Sequence, residues 1–90
     1  MYFTTQASGA SLALRLEGEW RAADLADIER QLAALPLSGA QQLVIGTAAL
    51  GALDLSGAWL LRDFAKRAAA AGADVSYPDG RPEAVDLVEA

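Results

Sequence analysis

The sequence predicts a small α/β domain built in the order strand, strand, helix, strand, helix, strand, helix. Three observations predict it. Leu12 to Glu17, LALRLE, places leucine at every second position, as a half-buried strand does. Leu25, Ile28, Leu32 and Leu35 instead recur at helical spacing. Leu43-Val44-Ile45 is a short continuous apolar run, and a second helical pattern follows it. That arrangement belongs to sheets whose strands are joined through helices.

Each element has its own signals. Tyr2 to Gln6 reads as a short first strand, ended by the turn residues Ser8 and Gly9. Leu12 to Glu17 follows as a strand antiparallel to it, with Gly18 as its end. The first helix is expected over Ala23 to Leu35, where Asp24 and Asp27 near its start favour the helix dipole, and Pro36 and Gly39 close it. Leu43 to Ile45 is expected as a strand covered on both faces. The second helix is expected from Ser56 to Ala71, with Gly72 as its stop. Asp74 to Tyr77 reads as a brief fourth strand, Pro78-Asp79-Gly80 as a turn, and Pro82 to Glu89 as a last helix with proline at a favoured first position. Strands connected through helices should run parallel, and functional loops then gather at their carboxyl ends. Two segments reach that end: the turn after Glu17, which carries Trp20, and the stretch from Gly46 into Ser56.

Composition narrows the function. Ninety residues make one domain, 1–90, with a single core. A hydrophobic share of 53% against 21% charged residues describes a folded globule, not a disordered chain. The sequence contains no histidine and no cysteine. Ser-His-Asp and Cys-His catalysis, thiol redox chemistry and the usual zinc sites all need one of them, so no catalytic residue, metal or cofactor is expected. Seven basic and twelve acidic side chains give a formal charge of -5, which repels a phosphate backbone and argues against nucleic acid as a partner. Arg62, Lys66 and Arg67 lie close together, and such a run reads as a solvated helix face. No stretch approaches the roughly 20 apolar residues that span a bilayer. MYFTTQ lacks the basic start and apolar segment of a signal peptide, so a soluble domain exposed to the cytoplasm is expected, without membrane insertion of its own.

The chemistry concentrates at LDLSGAWLL, residues 53–61, where a strand end runs through a tight turn into a helix. Asp54 or Ser56 is suited to accept a hydrogen bond from a free backbone N–H of that helix. Gly57 lets the first turn approach the sheet closely, and Ala58 keeps it slim. At about 100° per residue, Gly57, Leu60, Leu61, Phe64, Ala65 and Ala68 share the buried side. Trp59 falls opposite them with Arg62, Asp63 and Lys66. A tryptophan beside charges on an exposed helix face is the anatomy of a binding hot spot. Ser56, at the helix start, is the candidate phosphorylation site, since the macrodipole tolerates an added anion there.

Asp54-Leu55-Ser56-Gly57, entering a helix after an apolar strand, resembles the Asp-Ser/Thr-Ser/Ala-Gly motif of STAS domains, the family of anti-anti-sigma factors and sulfate-transporter tails. LEGEW at 16–20 is similar to the family's second strand with its glycine, and the order of elements agrees along essentially the whole chain. Gly57-Ala58-Trp59-Leu60-Leu61, supported by Trp20 after Gly18, is more particular. It resembles the version in bacterial lipid-trafficking ABC systems, in MlaB-like subunits or at the N-terminus of MlaE-like permeases. The resemblance implies a STAS-like mixed four-stranded sheet with an N-terminal antiparallel strand and three helices. It also implies a non-enzymatic domain at the cytoplasmic face of the inner membrane that docks on an ABC ATPase subunit, an MlaE-like permease, or both. In anti-anti-sigma relatives the same helix start binds an anti-sigma factor kinase, and the serine at the position of Ser56 is phosphorylated. Two positions depart from that pattern. Leu55 stands where Thr or Ser is usual, and Gly46 where many phosphoregulated members place Asp or Asn.

Three functions are thereby ranked. The first is a protein-interaction module of a lipid-transport ABC system, with Leu55, Ser56, Ala58, Trp59, Arg62 and Lys66 facing the partner and Asp54, Gly57 and Trp20 building the motif. The second is an anti-anti-sigma-like switch controlled at Ser56. A small enzyme or nucleotide-binding domain ranks last, because no phosphate-cradling glycine loop and no acid-base pair is recognisable.

Overall fold

The computed structural model describes residues 2–35 and 39–89. Four strands, β1 (Phe3–Ser8), β2 (Ser11–Trp20), β3 (Gln42–Leu53) and β4 (Asp74–Ser76), form one sheet in the order β1-β2-β3-β4. β1 and β2 are an antiparallel hairpin, with Phe3 opposite Leu16 and Ser8 opposite Ser11. β2 to β3 and β3 to β4 are parallel, as expected of strands joined through helices. Those helices are α1 (Leu25–Ala33) and α2 (Leu55–Ala70), with α3 (Glu83–Glu89) closing the described chain. The mixed α/β sheet with three helices is the expected architecture.

Period two in the sheet and period 3.6 in the helices put leucines on facing surfaces. Leu12, Leu14 and Leu16 of β2 and Leu43 and Ile45 of β3 are buried, as are Ile28 and Leu32 of α1 and Leu60, Leu61, Phe64 and Ala68 of α2. α2 is the central helix, touching β3, β4, α1 and α3. Gly72, at φ +101°, turns the chain out of it, because a residue without Cβ enters the left-handed region at no steric cost.

Several boundaries move from their expected places. β3 runs over twelve residues, not three, because residues 46–53, most of them small, keep pairing with residues 15–20 of β2 through two register irregularities. β3 is also covered on one face only. Val44 lies on the opposite side with Ala13 and Arg15, where the sheet is open. Gly18 does not end β2. It takes φ +69° at one of the irregularities, and the strand continues to Trp20. The first helix is shorter than expected: Ala22–Asp24 is a 3-10 turn, and the α-helical bonds begin at Leu25. Pro36 lies outside the described residues.

Trp20 is the largest fully buried side chain. Its indole Nε1–H donates to the Tyr2 carbonyl at 2.9 Å, so the polar edge of the ring is satisfied inside the core. The same carbonyl accepts from Glu17 N–H at 2.8 Å. Trp20→Ala is expected to cost about 3–5 kcal/mol, a large part of the 5–15 kcal/mol that typically holds a domain together. Urea unfolding followed by far-ultraviolet circular dichroism reads that loss as a lower midpoint.

Candidate functional site

The carboxyl ends of β2 and β3 meet where the sequence places its two loops. Trp20 pairs with Leu53, the last residues of the two strands, and Asp54 N–H donates to the Trp20 carbonyl at 3.2 Å. Asp54 is the N-cap of α2, with extended backbone, and its Oδ1 accepts from Gly57 N–H at 2.9 Å. Of the two candidate caps, Asp54 is therefore the one in use, and Ser56 sits one residue inside the helix. The second oxygen of Asp54 does something local spacing does not reveal. Oδ2 accepts from Ala22 N–H at 3.0 Å and so anchors the 3-10 turn after β2. One carboxylate thus satisfies free N–H groups of two helix starts, one of them 32 residues away in the chain.

These bonds favour the ionised form. The Gly57 N–H, then the Ala22 N–H, holds the Asp54 carboxyl below its ordinary pKa against a smaller opposing effect of desolvation, with Ser56 N–H and the Arg21 charge adding to the lowering.

Gly57 is fixed by a close approach. A Cβ at this position would lie 2.7 Å from the Trp20 carbonyl oxygen and 3.1 Å from Trp20 Cβ. The first turn of α2 is thereby pressed onto the end of β2, as expected of Gly57. Ala58 departs from expectation. It was expected among the partner-facing residues, but it is fully buried in the core and offers a partner no side-chain surface. The helix turns it inward beside Gly57 and Leu61, which widens the buried stripe by one position. Ala65, expected to be buried, is only partly so.

The outward face carries the remaining predicted residues. Leu55 is 55% and Trp59 49% exposed, two of the three exposed large apolar side chains among the described residues. The third, Leu87 on α3, was not found from sequence, because a seven-residue helix shows too little periodicity. The Arg62 guanidinium lies over the ring of the half-exposed Trp59, 5.0 Å from the centroid, and holds the indole from one side. Arg62 also approaches Asp63 at 3.6 Å. Lys66 is exposed one turn further on, and Ser56 is half-buried.

A second carboxylate, read from sequence only as part of a turn, ties the far side of β3. Asp79 Oδ2 accepts from Thr47 N–H at 3.1 Å and Ala48 N–H at 3.3 Å, and Thr47 Oγ1 donates to the Gly80 carbonyl at 3.3 Å. β4 pairs no further along β3 than Val44, so Asp79 takes over where the ladder stops.

Two outcomes follow from this geometry. The folded-state pKa of Asp54 lies below the unfolded value, so its stabilisation is complete above the ordinary aspartate pKa of about 4 and fades as pH falls through the folded value. Asp54→Asn, whose amide presents a donor to one of the two N–H groups, should therefore melt at a lower temperature than the parent at pH 7. Melting curves taken at decreasing pH should begin to converge below about pH 4 and meet only below the folded-state value. Gly57→Ala should lose roughly 1–3 kcal/mol in urea unfolding, although alanine is the better helix former by about 1 kcal/mol. A gain in stability would contradict the close approach.

No protein-family model matches the chain, and no curated protein matches it significantly. Solved structures do. An anti-sigma-factor antagonist STAS domain from Rhodobacter sphaeroides superposes with a TM-score of 0.71 at 24% identity, over 83% of this chain and 82% of that one. The anti-sigma factor antagonist SpoIIAA in its unphosphorylated form gives 0.70 at 16% identity, over 97% and 81%. A structure of Mglu gives 0.71 at 24% identity over 89% of this chain, which spans only 19% of the Mglu chain. The two antagonist structures each match more than four fifths of both chains, and the mixed four-stranded sheet with three helices agrees with them: the chain has the STAS fold.

Proposed function

We propose that this chain is a non-enzymatic protein-interaction domain that docks through the exposed side of α2, from Leu55 to Lys66. The observation that supports it is the pairing of Trp59 with Arg62 beside Leu55, on a helix whose start is locked to the sheet by Asp54 and Gly57. An indole and a guanidinium held in place lose little conformational freedom on binding, which is why such residues dominate interfaces. The Gly57-Ala58-Trp59-Leu60-Leu61 resemblance favours an ATPase or permease subunit of a bacterial lipid-transport ABC system as the partner, at the cytoplasmic face of the inner membrane. Among the described residues no helix is long and apolar enough to cross a membrane, so attachment through such partners suits the chain.

The second reading is a switch at Ser56 that opposes an anti-sigma factor kinase. Ser56 is half-buried in the first turn of α2, and one similar structure is an antagonist described in its unphosphorylated form. Two departures weigh against it: Leu55 stands where Thr or Ser is usual, and Gly46 where many phosphoregulated relatives place Asp or Asn.

Trp59→Ala should leave stability within about 0.5 kcal/mol and weaken co-purification with a cognate ATPase by roughly thirty-fold, the equivalent of about 2 kcal/mol. Unchanged co-purification would remove Trp59 from the contact. Incubation with a partner kinase and ATP should leave the intact mass unaltered, and Ser56→Ala should keep full activity. Stoichiometric phosphate on Ser56 would decide for the switch.

A further inference from the structure

The two edges of the sheet are built differently. β4 closes one edge with three residues, begins at Asp74, and is followed two residues later by Pro78. Short length, a charge and a proline are the features that keep an edge from pairing with another chain. β1 closes the other edge and has none of them. Its sequence, FTTQAS, is twice as long, uncharged and free of proline, and it pairs with β2 in unbroken register. The Tyr2 carbonyl accepts from Glu17 N–H, so Tyr2 and Glu17 are a hydrogen-bonded pair of the antiparallel ladder. Alternation along that ladder turns the N–H and C=O groups of Thr4, Gln6 and Ser8 towards β2, and those of Phe3, Thr5 and Ala7 outward. Among the described residues no hydrogen bond reaches these outward groups.

We infer that β1 is the seam of a dimer, in which a second copy of this chain adds its own β1 antiparallel and doubles the four-stranded sheet. The strand is complementary to itself. With the two-fold axis at Thr5, Thr5 faces the partner's Thr5, Phe3 faces the partner's Ala7, and Ala7 faces the partner's Phe3. Each of these pairs exchanges two hydrogen bonds, so every outward N–H and C=O is satisfied. The side chains agree. Thr opposite Thr is a favourable cross-strand pair. Phe3 covers the exposed Ala7 of the other copy, which carries the apolar row from Leu16 and Phe3 across the seam to the partner's Leu12. On the opposite face Thr4 meets the partner's Gln6. The nearest charged side chains, Arg15 and Glu17, stand one strand back on β2, so the charge of -5 on each copy is kept off the contact. Thr5 and Ala7 are exposed although they share a face with the buried Phe3, so no helix of the chain blocks a second sheet there. The proposed docking helix α2 packs over β3 and β4, away from this edge. A single strand pair buries less than the roughly 1,200 Å² of stable interfaces, so a dissociation constant of about 0.1 mM is expected.

The test is sedimentation velocity of the 90-residue chain from about 0.01 to 1 mM, with amide hydrogen exchange read by NMR at both ends of that range. The sedimentation coefficient should rise from monomer to dimer. The amides of Thr5 and Ala7 should exchange several-fold more slowly at the high concentration, while Gln6, already bonded to β2, should change little. Thr5→Lys and Thr5→Asp each set like charges face to face on the axis, and each should weaken association by about ten-fold or more. An equimolar mixture of the two sets opposite charges face to face and should restore the dimer. Both variants should keep the parent's circular dichroism spectrum, because Thr5 is exposed. A chain that stays monomeric to about 1 mM would overturn the assignment and leave the edge to a strand of a different protein. So would a dimer whose Thr5 and Ala7 amides exchange as in the monomer, and so would a mixture of the variants no more associated than either one alone.

Discussion

The rest of the structure depends on the two-sided grip of the Asp54 carboxylate. One oxygen closes the first turn of α2 and the other closes the turn that leads into α1. A helix start has several backbone N–H groups with no partner inside the helix, and here a single side chain supplies one for each of two starts. The chain crosses from the sheet to its helical layer at both places. Where Asp54 sits therefore fixes how α1 and α2 leave the sheet. Gly57 completes the joint, because only a residue without Cβ lets α2 come against the Trp20 backbone at this distance.

Asp79 repeats the device on a smaller scale. It binds N–H groups of β3 that β4 is too short to reach. Asp79 thus stands in for missing pairing midway along β3, and Asp54 for missing helix bonds at its carboxyl end, the end from which functional loops of parallel strands emerge. The docking proposed for the α2 surface draws on that rigidity. Leu55 and Trp59 are exposed on a helix that cannot easily shift, and Arg62 holds the indole from the flank. The ion pairs elsewhere, such as Arg30 with Asp27, are between exposed side chains and contribute little to stability.

Much of the fold was legible because its signals are local. Leucine at every second position marked β2, helical spacing marked α1 and α2, and Gly72 marked a stop. The exposed face of α2 was legible for the same reason, since the helical wheel alone separates Trp59 from Leu60 and Leu61. Ala58 was misread because a small residue at the margin of a helical stripe takes whichever environment its neighbours leave. The true length of β3 was hidden as well. Residues 46–53 are mostly Gly, Ala and Thr, whose weak strand signal is overridden by pairing with β2.

Sequence by itself determined the element types, their order, the antiparallel first pair and parallel later strands, a polar cap before α2 and an exposed tryptophan on it. Each of these is set by residues within a few positions of one another. Only the tertiary structure decided that Asp54 and not Ser56 is the cap, that the same carboxylate also reaches Ala22, and that Trp20 fills the core under Tyr2. These contacts join residues remote in the chain, 32 positions apart for Asp54 and Ala22 and 18 for Trp20 and Tyr2. Periodicity reports which way a side chain faces on its own element. Packing the elements together decides what it meets there.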